Sequence, residues 1–311
     1  MEKVFSICRK DVLMNKVVKL ISGGIDSTIM ANMYEGLNVY VDFGQNYVKE
    51  ELQALKDLGI KYELIKVNSV FKENDIYIND RNLTLASLVA MIYNPDIIMM
   101  AGTKDDNCID KTKEAFENIG DTISRYSNKN VKVISPFWDK TKSEIVEQYE
   151  NKEELKKTFS CYKPINGKPC MNCPACLRKT IALATNGVEV KEKLSKNILK
   201  EYLKKIHTYD KDRISRFFFY LQQYEQINAI DIDGVLCITK EHDFKNSVPI
   251  YENIEKVNKY NGINVLYTSR LESDREVTEK WLQKHNVKYD CLITNKLPYT
   301  SLVDDRAKLT L

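Results

Sequence analysis

The chain, 311 residues long, reads as an α/β protein: a parallel-sheet domain, a helical connection, and a second, smaller strand–helix domain. Three observations predict this. Short apolar runs alternate with stretches of helical apolar spacing, the pattern of strands joined by crossover helices and covered on both faces. A polar helical stretch at 190–224 interrupts the alternation, which restarts at Ile227. The length suffices for two separately buried cores.

Taken in order, residues 16–21 form the first expected strand, closed by Gly23-Gly24, with a helix starting near Asp26. Strands at 37–42 and 62–67 flank a helix at 48–58. A mostly apolar helix at 82–93 leads into a strand at 97–101, and 131–135 is a further strand. Thr141 with Glu144 three positions on makes a capping box that opens a helix. Residues 155–185 hold a cysteine cluster and a short helix. In the connection, Phe217, Phe218, Phe219 and Leu221 supply an apolar docking surface. Strands at 227–232, 264–267 and 289–293 then alternate with helices at 251–260 and 274–285, and a last strand runs into Val303-Asp304-Asp305. The expected boundaries are 1–189, 190–225 and 226–311.

Composition narrows the function classes. The chain is 43% hydrophobic and 29% charged, ordinary for a globular protein. It has no apolar run of about 18 residues, so no membrane span is expected, and its first residues do not read as a secretion signal. A formal charge of +3 gives no reason to expect a nucleic-acid partner. Lys193, Lys196, Lys200, Lys204 and Lys205 are interleaved with Glu192, Glu201, Asp210 and Asp212, as on a solvated helix face. Of the eight cysteines, four fall between 161 and 176 and the others are scattered. That usage points to a reducing, cytoplasmic setting with one metal site rather than a disulfide framework.

The sharpest local signal is Ser22-Gly23-Gly24-Ile25-Asp26-Ser27, where a strand hands over to a helix. Gly23 and Gly24 let the backbone turn tightly against an anion. Ser22 and Ser27 add hydroxyl donors, and the helix start offers free N–H groups to phosphate. Asp26 can hold magnesium on a pyrophosphate or fix the turn. The second signal is Cys161, Cys170, Cys173 and Cys176. Four thiolates with close x2 spacings can wrap one tetrahedral zinc and leave no open position, so the metal is expected to be structural; an iron–sulfur cluster is the alternative. Cys8, Cys108, Cys237 and Cys291 have no such spacing.

The Ser-Gly-Gly-x-Asp-Ser string resembles the pyrophosphatase loop of the N-type ATP pyrophosphatases, a HUP-like fold, and differs from the kinase-type GxxxxGK[ST] loop. Loop and cysteine order together resemble 7-cyano-7-deazaguanine synthases of the QueC type over about 16–185. Asp80-Arg81-Asn82-Leu83 stands where that family has Gly-Arg-Asn-Leu. Gly102 ends the following strand, Lys142 and Glu144 follow Pro136, and Arg178 and Lys179 follow Cys176. One departure is Asp106-Asn107-Cys108-Ile109-Asp110-Lys111, where the family has Tyr-Pro-Asp-Cys-Arg. The resemblance implies that ATP is bound by Ser22, Gly23, Gly24, Asp26, Ser27, Gly102, Asp110 and Lys111. It further implies that Asp26, Arg81 and Lys142 serve the chemistry, that the substrates are a deazaguanine carboxylate and ammonia, and that the chain can form a homodimer.

Past the connection, Asp231-Ile232-Asp233-Gly234 follows an apolar strand, placing two carboxylates at one turn. Asp231 can attack a phosphoryl group while Asp233 protonates the leaving oxygen. Thr268, Lys296 and Asp304-Asp305 follow at later strand ends. The set resembles the haloacid-dehalogenase phosphohydrolases, implying a small, capless Rossmann-like domain acting on a phosphomonoester. In it Thr268 and Lys296 hold the phosphoryl group, and Asp231, Asp233, Asp304 and Asp305 hold magnesium. The expected whole is a bifunctional ligase and phosphohydrolase. The alternatives are an adenylating enzyme with another carboxylate or macromolecular acceptor, and a non-catalytic nucleotide-binding module.

Overall fold

Alternating side chains along the central strands bury one core on each side of a parallel sheet. The computed structural model describes residues 16–67, 80–106 and 108–296, and the chain divides into two units, Met1–Lys193 and Leu194–Leu311. Among the described residues no helix is long and apolar enough to cross a membrane.

The first unit runs β1 (Val17–Leu20), α1 (Ile25–Met33), β2 (Leu37–Asp42), α2 (Val48–Asp57), β3 (Glu63–Lys66), α3 (Arg81–Tyr93), β4 (Ile97–Met100), α4 (Lys113–Ser127), β5 (Lys132–Ile134), α5 (Lys142–Gln148) and α6 (Pro174–Ala184). The strands are parallel in the order β3-β2-β1-β4-β5. Leu20 is in register with Val39 on one side and Met100 on the other. Val18, Leu20, Val39 and Val41 pack on α3 and α4, whereas Ile21 and Tyr40 pack on α1, α2, α5 and α6. Lys19 is the exception in central β1. It is 2% exposed, and its ammonium caps the end of α1 by donating to the carbonyls of Ala31 and Tyr34. The chain leaves β1 toward β2 and β3 on one side and returns to β4 and β5 on the other. The loops that follow β1 and β4 therefore diverge and open a crevice at the carboxyl edge of the sheet.

Two features go beyond the sequence expectation. Helix α4 was not anticipated, although Thr112 caps it by accepting from Ala115 N–H at 3.1 Å and Phe116, Ile119 and Ile123 form its buried stripe. Gly120, which reads as a helix breaker, sits where α4 crosses the sheet. A Cβ there would lie 3.0 Å from the Val131 carbonyl. Asp80, standing where the resembled family has glycine, is left-handed at φ 54°. A short polar side chain tolerates that conformation better than most.

The second unit contains α7 (Lys196–Lys204), α8 (Lys211–Leu221), β6 (Ile227–Ile230), β7 (Cys237–Ile238), β8 (Val248–Pro249), α9 (Tyr251–Val257), β9 (Ile263–Tyr267), α10 (Arg275–Lys284) and β10 (Cys291–Ile293). The helices expected as a connection thus fall inside this unit. Its described sheet is parallel in the order β10-β9-β6, around a core that includes Ile230, Leu266, Trp281 and Leu292. The antiparallel pair β7–β8 was not anticipated. Strand β6 stops before Asp231 because the Ile232 carbonyl closes a turn by accepting from Leu236 N–H at 2.8 Å. The strand expected to end at Asp304-Asp305 lies outside the described residues.

Gly102 gives a test of packing next to the crevice. A Cβ there would lie 2.3 Å from the Trp138 ring, which packs edge-on against Phe116. Gly102→Ala should cost about 1–3 kcal/mol by overpacking, seen as a lower urea midpoint at unchanged slope. An unchanged midpoint would show that Trp138 has room to move.

Candidate active site and metal centre

One cavity in the first unit is lined by Ser22, Gly24, Asp26 and Ser27 after β1, by Lys142 of α5 and by Arg178 of α6. The turn is held by its own serines. Ser27 Oγ accepts from Ser22 N–H at 3.1 Å and donates to the Gly24 carbonyl at 3.0 Å. Gly24 caps α1 without a side-chain bond, which leaves the first N–H groups of the helix oriented at the turn. Ser160 reaches in from a distant part of the chain, its Oγ accepting from Ile25 N–H at 3.4 Å.

Cations converge on this turn. Lys142, fixed at the first position of α5 by the Thr141–Glu144 capping box, contacts one carboxylate oxygen of Asp26. The other oxygen, Oδ1, is buried with no partner among the described residues. Arg178 donates to Asp106 at 2.6 Å, and Lys111 reaches the other oxygen of Asp106 at 2.7 Å. Thr103 adds its N–H and hydroxyl to Asp106, each at 3.0 Å. Burial alone would raise the Asp106 carboxyl, but Lys111 and Arg178 outweigh it and hold the group well below the usual carboxylate range. Burial alone would lower Arg178, yet Asp106 holds it above its ordinary value. Arg178 therefore stays charged at neutral pH. Arg178 Nε is buried without a partner among the described residues.

The structure brings Ser22, Gly24, Asp26, Ser27, Arg81, Lys111 and Lys142 to this cavity. Gly23, Gly102 and Asp110 are not among its lining residues. Gly23 packs against α2, Gly102 makes room for Trp138, and Asp110 bonds Asn82 through its carboxylate at 3.0 Å. The acid beside Lys111 is Asp106, which sequence reasoning passed over; Arg178 and Ser160 also line the cavity without having been assigned to the site. The available signal was position, because Asp106 follows the carboxyl end of β4, where crevice residues are expected.

The sulfurs of Cys161, Cys170, Cys173 and Cys176 all lie within 4.8 Å of one another, with Cys173 and Cys176 at 3.5 Å. Tetrahedral zinc–thiolate bonds of about 2.3 Å imply sulfur separations of roughly 3.8 Å, so the set fits one metal ion. Backbone N–H groups of Lys163 and Cys170 point at the Cys161 sulfur at 3.3 and 3.2 Å, which suits a thiolate. The arrangement is a four-cysteine metal-binding loop with no position left for substrate.

In the second unit, Lys296 contacts a carboxylate oxygen of Asp231, and its N–H donates to the Thr268 carbonyl at 2.9 Å. Asp231, Thr268 and Lys296 thus stand together at the ends of β6, β9 and β10. Asp233 is held differently. Arg270 donates to both of its oxygens at 2.8 Å, and Thr239 donates to Oδ1 at 2.5 Å. Against the upward push of burial, these bonds keep the Asp233 carboxyl below its ordinary value. Asp304 and Asp305 lie outside the described residues.

Residues 72–187 match the family model described as "Queuosine biosynthesis protein QueC". The chain is 29% identical over 221 residues to 7-cyano-7-deazaguanine synthase 1 of Desulfitobacterium hafniense, covering 59% of this chain and 98% of that protein. It is 27% identical over 229 residues to the 7-cyano-7-deazaguanine synthase of Methanocaldococcus jannaschii, covering 57% and 98%. A QueC-like domain therefore occupies roughly half of the chain.

The thiolate cluster predicts a stoichiometric metal. Elemental analysis should find one zinc per chain, and Cys176→Ser should lose it together with roughly 3 kcal/mol or more of stability, about 10 °C in Tm for a unit of this size. A metal-free variant that melts like the parent would remove the structural role.

Proposed function

We propose that the first unit uses ATP to activate a ring-bound carboxylate of a 7-deazaguanine and converts it with ammonia to the nitrile. The observation that carries this reading is the shared cavity, in which the glycine–serine turn meets the Lys142–Asp26 pair and the Arg178–Asp106–Lys111 set. The QueC-like match supplies the substrate class.

A carboxylate oxygen attacks the α-phosphorus of ATP, the bond to the bridging oxygen breaks, and pyrophosphate leaves with the electron pair. Ammonia adds to the acyl carbon, AMP departs, and the nitrogen loses a proton to give the amide. The amide oxygen then attacks a second ATP in the same way, and loss of AMP and of both nitrogen-bound protons leaves the carbon–nitrogen triple bond. This chain's residues act mainly through fixed charge. N–H groups of the turn and the hydroxyls of Ser22 and Ser27 cradle the leaving pyrophosphate, while Lys142, Arg178 and Lys111 balance its charge without having to reorganise. Magnesium on the phosphate oxygens would add neutralising charge, with the unpartnered Asp26 oxygen as its protein ligand. A different acceptor carboxylate is the second reading, favoured by the departure from the family string at 106–111.

For the second unit we infer a phosphohydrolase in which Asp231 attacks phosphorus, with Thr268 and Lys296 holding the phosphoryl oxygens. Magnesium held there by Asp231 with Asp304 and Asp305 would neutralise the phosphoryl charge. In the observed geometry Asp233 is an ion-paired anion with no proton to give, so the acid role expected for it requires Arg270 to let go.

Incubation with ATP, ammonia and 7-carboxy-7-deazaguanine should give AMP, pyrophosphate and the nitrile by mass spectrometry. Lys142→Ala should lower turnover by about 100-fold or more, as loss of one transition-state donor does. AMP release that is independent of the acid would reject this substrate. Full-length protein with magnesium should hydrolyse members of a phosphomonoester panel, and Asp231→Asn should abolish that while the ligase reaction continues. Hydrolysis that survives the substitution would remove Asp231 as nucleophile.

A further inference from the structure

The cavity has a second polar wall, apart from the turn and the cations described above. Tyr40 of β2 donates to Glu51 Oε2 at 2.7 Å, and Gln45 Nε2 donates to the Tyr40 oxygen at 2.9 Å while reaching Glu51 at 3.4 Å. Gln45 is itself oriented, its Oε1 accepting from Phe43 N–H at 2.9 Å. All three line the cavity, as do the rings of Phe43, Tyr47 and Tyr162. Tyr47 lies tilted against Tyr162 with centroids 6.0 Å apart, close enough to Arg81 to feel its charge.

Glu51 is 7% exposed, and its bonding partners among the described residues are both neutral. Burial pushes its carboxyl up to about 8, against the pull of Tyr40, Gln45 and Arg81. An acid on a cavity wall without a paired cation is costly. Glutamine would tie α2 to Tyr40 without that cost, so the fold alone does not account for a carboxyl group here. A ligand that brings two adjacent N–H donors does. The ring amide and the exocyclic amine of a guanine-type base form such a pair and match a carboxylate in two-point fashion, so their arrival favours the ionised form and releases the Glu51 proton. Adenine offers a donor beside an acceptor instead. Aromatic side chains on the same cavity suit a flat heterocycle.

We propose that Glu51, oriented by Tyr40 and Gln45, receives the amide–amine edge of a deazaguanine-type base and so determines which substrate class enters. The assignment rests on the deazaguanine reading above and goes beyond it by naming the residues that select the base.

The test is calorimetric titration of the full-length, zinc-loaded chain with three probes: 7-carboxy-7-deazaguanine, its counterpart lacking the 2-amino group, and α,β-methylene-ATP. Wild-type protein should bind the amino compound at least about 10-fold more tightly than the counterpart, since a site built for a donor rejects a ligand without it. Glu51→Gln should weaken the amino compound by about 10-fold or more, erase the discrimination, and leave the ATP analogue within about twofold. Equal wild-type affinities for the two bases overturn the assignment, and this comparison needs no variant to fold. Discrimination retained by Glu51→Gln overturns it too, as does a variant that loses only the ATP analogue, which would place Glu51 on adenine. Wild-type protein that binds the ATP analogue but neither base overturns the deazaguanine reading itself, and the assignment with it.

Discussion

One backbone hydrogen bond ties the candidate chemistry to the metal loop: Phe159 N–H donates to the Gly23 carbonyl at 2.9 Å. Gly23 is left-handed at φ 71°, and a Cβ on it would lie 2.7 Å from the Glu51 carbonyl. The turn is thus pressed between α2 and the strand-like segment at Phe159 and Ser160. Cys161 follows Ser160 directly, so any ion that gathers the four thiolates also fixes the segment that holds the turn. Lys179 reinforces the same stretch by donating to the Thr158 carbonyl. The four-cysteine loop can therefore act on the turn from outside the cavity, by deciding how firmly the turn is backed.

Charge in the cavity follows a similar division between anchor and working group. Asp106 has a side chain 2% exposed, while those of Lys111 and Arg178 are 23% and 20% exposed. The acid is the more deeply buried member, and its two cations, unlike it, line the cavity. A buried ion set of this kind adds little net stability, because desolvation offsets attraction. What it does supply is orientation. Two cations stand ready at fixed positions before any anion arrives, which is the arrangement electrostatic catalysis requires.

How much of this was legible in the sequence depended on how local the signal was. The Ser22–Ser27 turn, the Thr141–Glu144 box and the four cysteines each declare themselves within a few residues, and each occupies the place its spacing implies. Lys142 and Arg81 carry no local mark and became candidates only through a family resemblance. Glu51 sits in Lys49-Glu50-Glu51-Leu52, which reads as an ordinary solvated helix turn; only the docking of α2 on the sheet turns that one acid toward Tyr40. Asp106 and Asp110 are equally acidic and four residues apart, and nothing short of the tertiary fold says which of them meets Lys111. Helix α4 was hidden by Gly120, whose missing side chain is needed by β5 rather than by a turn. In the second unit the helices at 196–221 were legible as helices, but their grouping with the later strands depends on contacts that spacing does not encode.

The two units use the same ionic device to opposite effect. In the first, Arg178 spends Nη1 on Asp106 and keeps Nε buried without a partner among the described residues. In the second, Arg270 commits Nε and Nη2 to Asp233 and Nη1 to Thr278, and the Phe244 ring lies 4.4 Å from its guanidinium. A guanidinium so engaged has little left for an incoming phosphate. Arg270 instead holds Asp233 as an anion, keeping its carboxyl below the ordinary value against the push of burial.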